Sequence, residues 1–101
     1  MSDKTTDNTP TKLTEAEFAA SLEGLDTWSE VGGTIQRTYE FPDFIAAMAF
    51  VNKVADAAEQ QQHHPDILVR YSKVTLTLST HDAGGITSKD FDLARFCDSI
   101  A

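Results

Sequence analysis

The three histidines of this 101-residue chain are its side chains best suited to chemistry. His63 and His64 stand together in the run QQQHHPD, and His81 follows in STHDAGG. With an unperturbed pKa near 6.5, imidazole can both give and take a proton at neutral pH. Nothing places the single cysteine, Cys97, beside a base, and no Ser-His-Asp arrangement is evident. The histidines therefore suggest proton transfer rather than covalent catalysis.

Carboxylates lie close to these histidines in the sequence: Glu59 stands one helical turn before His63, Asp82 follows His81, and Asp90 comes soon after. Structural roles explain some of these residues equally well. A histidine at a helix C-terminus is favoured by the helix dipole. Asp90 completes a Thr-x-x-Asp capping box that begins at Thr87. Both the structural and the functional interpretations remain open at this level.

A zinc site is the rival interpretation, because three histidines and a carboxylate are a possible ligand set. Ligating histidines usually stand four residues apart on a helix or alternate along a strand. Adjacent histidines tend to diverge, and this spacing favours a site without metal.

The hydrophobic pattern predicts the elements that position these residues. Helices are expected over 14–23, 43–61 and 88–99, and strands over 28–31, 34–41, 67–71 and 74–80. The long helix has an apolar stripe, widened by Phe50 and Val54, which we expect to be buried; its members are Phe44, Met48, Val51, Ala55 and Ala58. The order α-β-β-α-β-β-α predicts an α+β fold with three helices on one face of a four-stranded antiparallel sheet.

The hairpin of the last two strands brings the histidines together in this scheme. A tight turn at Ser72-Lys73 would set Ser79 or Thr80 opposite Pro65 or Asp66. His81 would then emerge beside the His63-His64 pair, at element ends where scaffolds often carry functional residues.

Composition limits the partners and the compartment. A net charge of −8 argues against direct binding to nucleic acid or an anionic membrane. No apolar run is long enough to span a membrane, and no signal-like segment opens the chain. A single cysteine suits a reducing cytoplasm. Residues 1–12 are predicted to be a disordered tail, and residues 13–101 a single domain.

The spacing Glu59-x3-His63-His64-Pro65-x5-Tyr71-x9-His81-x8-Asp90 resembles the signature of the pterin-4a-carbinolamine dehydratases. The stretch from His63 to Thr87 resembles this family almost continuously, and the resemblance covers about residues 13–100. Gln62 departs from it, since the family usually has Asn or Asp there. That departure concerns a residue next to the substrate.

The resemblance implies an enzyme that needs no metal and no organic cofactor. The reaction would dehydrate 4a-hydroxytetrahydropterin to quinonoid dihydropterin, which recycles the tetrahydropterin used by aromatic amino acid hydroxylases. It also implies a homodimer or homotetramer, and an open sheet with two edges agrees with this expectation.

The resemblance further implies a role for each matching residue. His63 and His81 would be the acid/base pair, His64 would bind the pterin, and Glu59 and Asp90 would orient the imidazoles. The pterin would be lined by Gln62, Pro65, Ser79, Thr80 and Asp82 together with the histidines.

Two other functions remain as alternatives. One is a non-catalytic dimerisation or regulatory module of the same fold, a role that animal relatives also have. The other is a zinc-dependent hydrolase. Three histidines with two acids favour the dehydratase, because an adaptor has no need of them.

Overall fold

The computed structural model describes residues 11–80 and 83–101, which form one α+β unit. Its elements in chain order are α1 (Glu15–Leu22), β1 (Ser29–Val31), β2 (Thr34–Glu40), α2 (Phe44–Gln61), β3 (Asp66–Arg70), β4 (Lys73–Leu78) and α3 (Ser88–Ile100). The predicted order and fold class are confirmed, and the helix bounds agree to within one residue. The tail was predicted over residues 1–12, and its residues 1–10 lie outside the described part of the chain.

All four strands are antiparallel and follow the order β1-β2-β4-β3. The hairpin of β3 and β4 turns at Tyr71-Ser72, one residue earlier than predicted, so that Asp66 pairs with Thr77 rather than with Ser79 or Thr80. Tyr71 has a positive φ of 53°, which is uncommon for a residue that is not glycine. The sequence therefore carries no ordinary signal for this turn. Continued past the strand ends, the register sets Thr80 level with His63.

The core lies between the sheet and the helices. Val74, Leu76 and Leu78 of β4 are buried against α2, which presents Ala47, Phe50, Val54, Ala57 and Ala58. The predicted stripe was right for Phe50, Val54 and Ala58, which are buried, and wrong for Phe44 and Ala55, which are exposed. Ala47 and Ala57, which the prediction left out, belong to the buried face.

Arg37 is a charged residue on the core face of β2, and Asp98 of α3 pairs with it. The Asp98 carboxylate accepts hydrogen bonds from Arg37 Nη1 at 2.7 Å, from Trp28 Nε1 at 3.1 Å and from the Tyr39 hydroxyl. Burial and this carboxylate raise the pKa of Tyr39 well above its ordinary value. Burial also raises the pKa of the Cys97 thiol to about 12. The hydrogen bonds that Asp98 accepts from Arg37 and Tyr39 attach α3 to the sheet.

Caps fix the starts of the helices as the sequence predicts. Thr14 and Glu17 form a capping box at α1, and the Asp43 carboxylate accepts from the Ala46 N–H at α2. None of the described helices is long and apolar enough to cross a lipid bilayer.

Candidate active site

The backbone of His63 is held by the end of α2. Gln62 adopts the left-handed conformation, with φ 51° and ψ 44°. Its N–H donates to the Glu59 carbonyl at 3.3 Å, and the His63 N–H donates to the Ala58 carbonyl at 3.0 Å. This pair of bonds is a Schellman motif. The chain therefore leaves the helix in one defined direction, and His63 is the first residue beyond the turn.

The His63 ring is buried and paired with Asp90. His63 Nε2 lies 2.6 Å from Asp90 Oδ1, and only 8% of His63 is exposed. Because a carboxylate oxygen can only accept, Nε2 carries the proton and donates it. In the neutral ring the lone pair then resides on Nδ1, and this atom makes no hydrogen bond to any described residue. The arrangement leaves one ring nitrogen available to a substrate.

Asp90 is completely buried and has partners for both carboxylate oxygens. While Oδ1 accepts from His63, Oδ2 accepts from the Thr80 hydroxyl at 2.8 Å and from the Thr87 N–H at 2.9 Å. The same side chain also completes the capping box of α3. The sequence had left a choice between a helix cap and a carboxylate that contacts a histidine; in the structure Asp90 is both.

The second predicted pair, His64 and Glu59, lies on the surface. His64 Nε2 is 2.5 Å from Glu59 Oε2, and the two side chains are 58% and 73% exposed. Such an exposed pair adds little to stability. It fixes the imidazole loosely, and both side chains can rearrange when a ligand approaches.

The loop that begins with His81 is closed at its base by Thr80 and Gly85. The Thr80 N–H donates to the Gly85 carbonyl at 2.8 Å, and the Ala83 N–H donates to the Thr80 carbonyl at 3.0 Å. His81 and Asp82 themselves lie outside the described residues. Thr80, which precedes His81, and His63 thus both bond to the Asp90 carboxylate.

The remaining predicted pterin-lining residues lie around this pair. Gln62 is exposed, and its side-chain amide donates to the Glu59 carbonyl at 2.7 Å. Pro65 is partly buried, and Ser79 is exposed. Thr87 is a participant that the site prediction missed, although its capping-box pattern was visible in the sequence.

Metal ligands do not converge in the part of the chain that the structure describes. No group of three His, Cys, Asp or Glu side chains there could hold a metal ion. His81 and Asp82 lie outside the described residues, so the zinc hypothesis is tested by the effect of EDTA and zinc on activity.

A family model described as pterin 4 alpha carbinolamine dehydratase matches residues 11–100. The chain belongs to this family. Its members are hydro-lyases, and the protein is therefore an enzyme of the dehydratase type.

Individual relatives agree with this assignment. A protein of Picosynechococcus sp., provisionally named pterin-4-alpha-carbinolamine dehydratase, is 51% identical over 90 residues, which are 89% of this chain and 98% of that protein. One of the same designation from Koribacter versatilis is 54% identical over 88 residues, 87% of this chain and 94% of its own. The crystal structure of a transcriptional coactivator/pterin dehydratase from Brucella melitensis superposes with a TM-score of 0.86 at 38% identity, covering 90% of this chain and 99% of that one.

Proposed function

We propose that the protein dehydrates 4a-hydroxytetrahydropterin to quinonoid dihydropterin and so recycles a tetrahydropterin cofactor. The C4a–O bond breaks, the departing hydroxyl takes a proton and leaves as water, and N5 loses its proton as the C4a=N5 double bond forms. The observation that carries the proposal is the buried His63-Asp90 pair, in which Nδ1 of His63 has no hydrogen bond to any residue that the structure describes. This reaction needs such a proton carrier and no covalent intermediate.

His63 and His81 are the proposed acid and base. Asp90 keeps the proton of neutral His63 on Nε2, so that Nδ1 can accept one from the substrate. The carboxylate also stabilises the imidazolium that results, because the two charges lie 2.6 Å apart in a buried site. A carboxylate in this position orients the base and need not itself be protonated.

His64 is proposed to bind the pterin ring, and Glu59 to orient it. The exposed side chains of this pair can move toward a ligand without disturbing the core. Gln62, Pro65, Ser79 and Asp82 would complete the lining. No metal or organic cofactor takes part in this scheme. We propose a cytoplasmic location, which suits the buried free thiol of Cys97.

A homodimer is the proposed assembly, with a dimer of dimers as its extension. β3 is an edge strand that pairs only with β4, and its Leu68 and Ile67 are 54% and 36% exposed. An open apolar edge of this kind is usually covered. Light scattering at micromolar concentration should give a multiple of the 11.1 kDa chain mass. Leu68→Lys should shift the protein toward monomer. Val31 is 49% exposed on β1, the other edge strand, and a shift with Val31→Lys alone would put the interface there instead; a monomeric wild type would contradict the assembly.

Stopped-flow dehydration of chemically generated carbinolamine tests the function directly, with the spontaneous rate subtracted. His63→Ala and His81→Ala should each slow the reaction by roughly 10²–10⁴-fold, and the double variant should lose more than either. A folded double variant with wild-type rate would refute the proposal. Loss of activity in EDTA with recovery in zinc would instead favour the hydrolase, and a wild type with no activity at all would favour the regulatory module.

A further inference from the structure

Thr80 lies at the junction of the two regions that carry the histidines. Its hydroxyl is 2.8 Å from Asp90 Oδ2 and 2.7 Å from the Thr87 hydroxyl. Its backbone N–H and carbonyl close the base of the loop that starts with His81. Only 6% of the residue is exposed, and each of its polar groups already has a partner within the protein.

The hydrogen bonds of the hydroxyls run in one direction. A hydroxyl has a single hydrogen, and that of Thr80 goes to Asp90. Thr87 must therefore donate to Thr80, and the Thr87 oxygen in turn accepts from the Lys89 N–H at 3.2 Å. The chain of donors ends on Asp90 Oδ2, and the hydrogen of each hydroxyl is used. This order fixes the carboxylate plane so that Oδ1 faces His63 Nε2.

We infer that Thr80 is a positioning residue, whose hydroxyl holds Asp90 in register with His63 and whose backbone ties this pair to the loop that begins with His81. It was predicted to line the pterin, but its hydroxyl is committed inside the protein. The inference rests on the proposed function, since it takes His63 and His81 as the groups that transfer protons. It gives threonine at this place a role in catalysis without contact to the substrate.

Thr80→Val tests this role, because valine keeps the shape and the β-branch and removes only the hydroxyl. We expect kcat to fall by roughly 10–100-fold, the usual effect of removing a group that orients a site residue. KM should change by no more than about threefold. Thr80→Ser should restore most of kcat, because it restores the hydroxyl. Thr75→Val is the matched control, since the hydroxyl of this residue of the same sheet bonds to the exposed Thr38 hydroxyl on the outer face.

Nitrogen-15 NMR of the histidine rings gives a second measurement that does not depend on turnover. The wild type should show His63 as the Nε2–H tautomer with a slowly exchanging ring proton. In Thr80→Val this proton should exchange with water at least about tenfold faster, and Thr80→Ser should return it toward the wild-type rate. If the valine variant does not fold, Thr87→Val, which removes the hydroxyl that orients Thr80, should produce the same change to a smaller extent.

The two measurements separate the possible failures. Wild-type kcat in folded Thr80→Val would overturn the inference, as would a large rise in KM with an unchanged His63 proton, which would mean that Thr80 contacts the substrate. If the wild type does not dehydrate carbinolamine, the proposed function fails. The NMR comparison still decides in that case whether Thr80 orients the Asp90-His63 pair.

Discussion

Asp90→Asn is the substitution that tests the site geometry most directly. The carboxylate accepts three hydrogen bonds, one on Oδ1 from His63 and two on Oδ2 from Thr80 and Thr87. Asparagine has a single carbonyl oxygen and an NH₂ group that can only donate. If the asparagine oxygen faces His63, its NH₂ group is opposed by two donors, the Thr80 hydroxyl and the Thr87 N–H. If the oxygen faces the threonines, the NH₂ group is opposed by one donor, Nε2 of His63. The second orientation is therefore favoured.

This orientation forces a change of tautomer in His63. An NH₂ group that points at Nε2 needs an acceptor there, so the ring proton moves to Nδ1. The nitrogen proposed to accept the substrate proton is then blocked, and kcat should fall by roughly 10²–10⁴-fold. Two of the three hydrogen bonds persist as neutral ones, and the free energy of unfolding should fall by only about 1–3 kcal/mol. Activity should thus be lost in a protein that still folds.

Stopped-flow kinetics, urea denaturation and ring nitrogen-15 spectra measure the three parts of this prediction. Asp92→Asn is the control, because Asp92 is an exposed residue of the same helix and its carboxylate lies 3.4 Å from the exposed Arg95 guanidinium. It should leave kcat and the tautomer unchanged. Asp90→Asn protein that is folded, keeps the Nε2–H tautomer and turns over within threefold of wild type would refute the reasoning.

Two further predictions concern stability. Gln62→Gly should raise the free energy of unfolding by about 1 kcal/mol, because glycine adopts the left-handed conformation of this position without the cost that a Cβ brings. Urea denaturation measures this change, and a lower free energy of unfolding would show that the hydrogen bond from the Gln62 side chain to the Glu59 carbonyl matters more. Cys97 has a raised pKa in the folded state, so its contribution is complete below about pH 9, the ordinary value of the thiol, and is lost as the pH rises toward about 12. Between pH 9 and 11 the stability of wild type should therefore fall more steeply than that of Cys97→Ala, by up to about 1.4 kcal/mol per pH unit, and equal slopes would contradict the burial of the thiol.

Local signals in the sequence predicted most of the elements correctly. Threonine or aspartate caps mark the starts of the three helices that the structure describes, and alternation marks β2 and β4. The register of the last hairpin was wrong by two residues because its turn has Tyr71 in the left-handed conformation, where glycine or asparagine is expected. A shift of the turn by one residue moves every pair of the two strands by two.

The buried face of α2 could not be predicted from its pattern alone. The helix has apolar residues on two faces, and the predicted stripe included three of its five buried residues, Phe50, Val54 and Ala58. It also included Phe44 and Ala55, which are exposed, and it left out Ala47 and Ala57, which are buried. Phe44 and Ile45 are 46% and 76% exposed. Helix periodicity gives the existence of a stripe, but packing volume decides which side is used.

The candidate site was predicted in its residue types but not in its connections. Thr80 is in phase with Val74, Leu76 and Leu78, so the alternation of the last strand puts it on the apolar face, but the pattern gives no partner for its hydroxyl. Its link to Asp90 depends on the register and on the cap of α3 together. Neither of these long-range relations is visible in a local window of sequence.

The two imidazoles whose partners the structure describes differ in a way that matches the two tasks of the proposed reaction. Proton transfer needs an atom held in one place, and His63 is fixed by a helix-terminal motif behind it and a buried carboxylate beside it. Binding a flat ring needs a side chain that can adjust, and the His64-Glu59 pair is exposed and adds little to the fold. Because Asp90 also caps α3, substitutions there change stability and activity together. Those at His64 should change substrate affinity alone, since no part of the core depends on it.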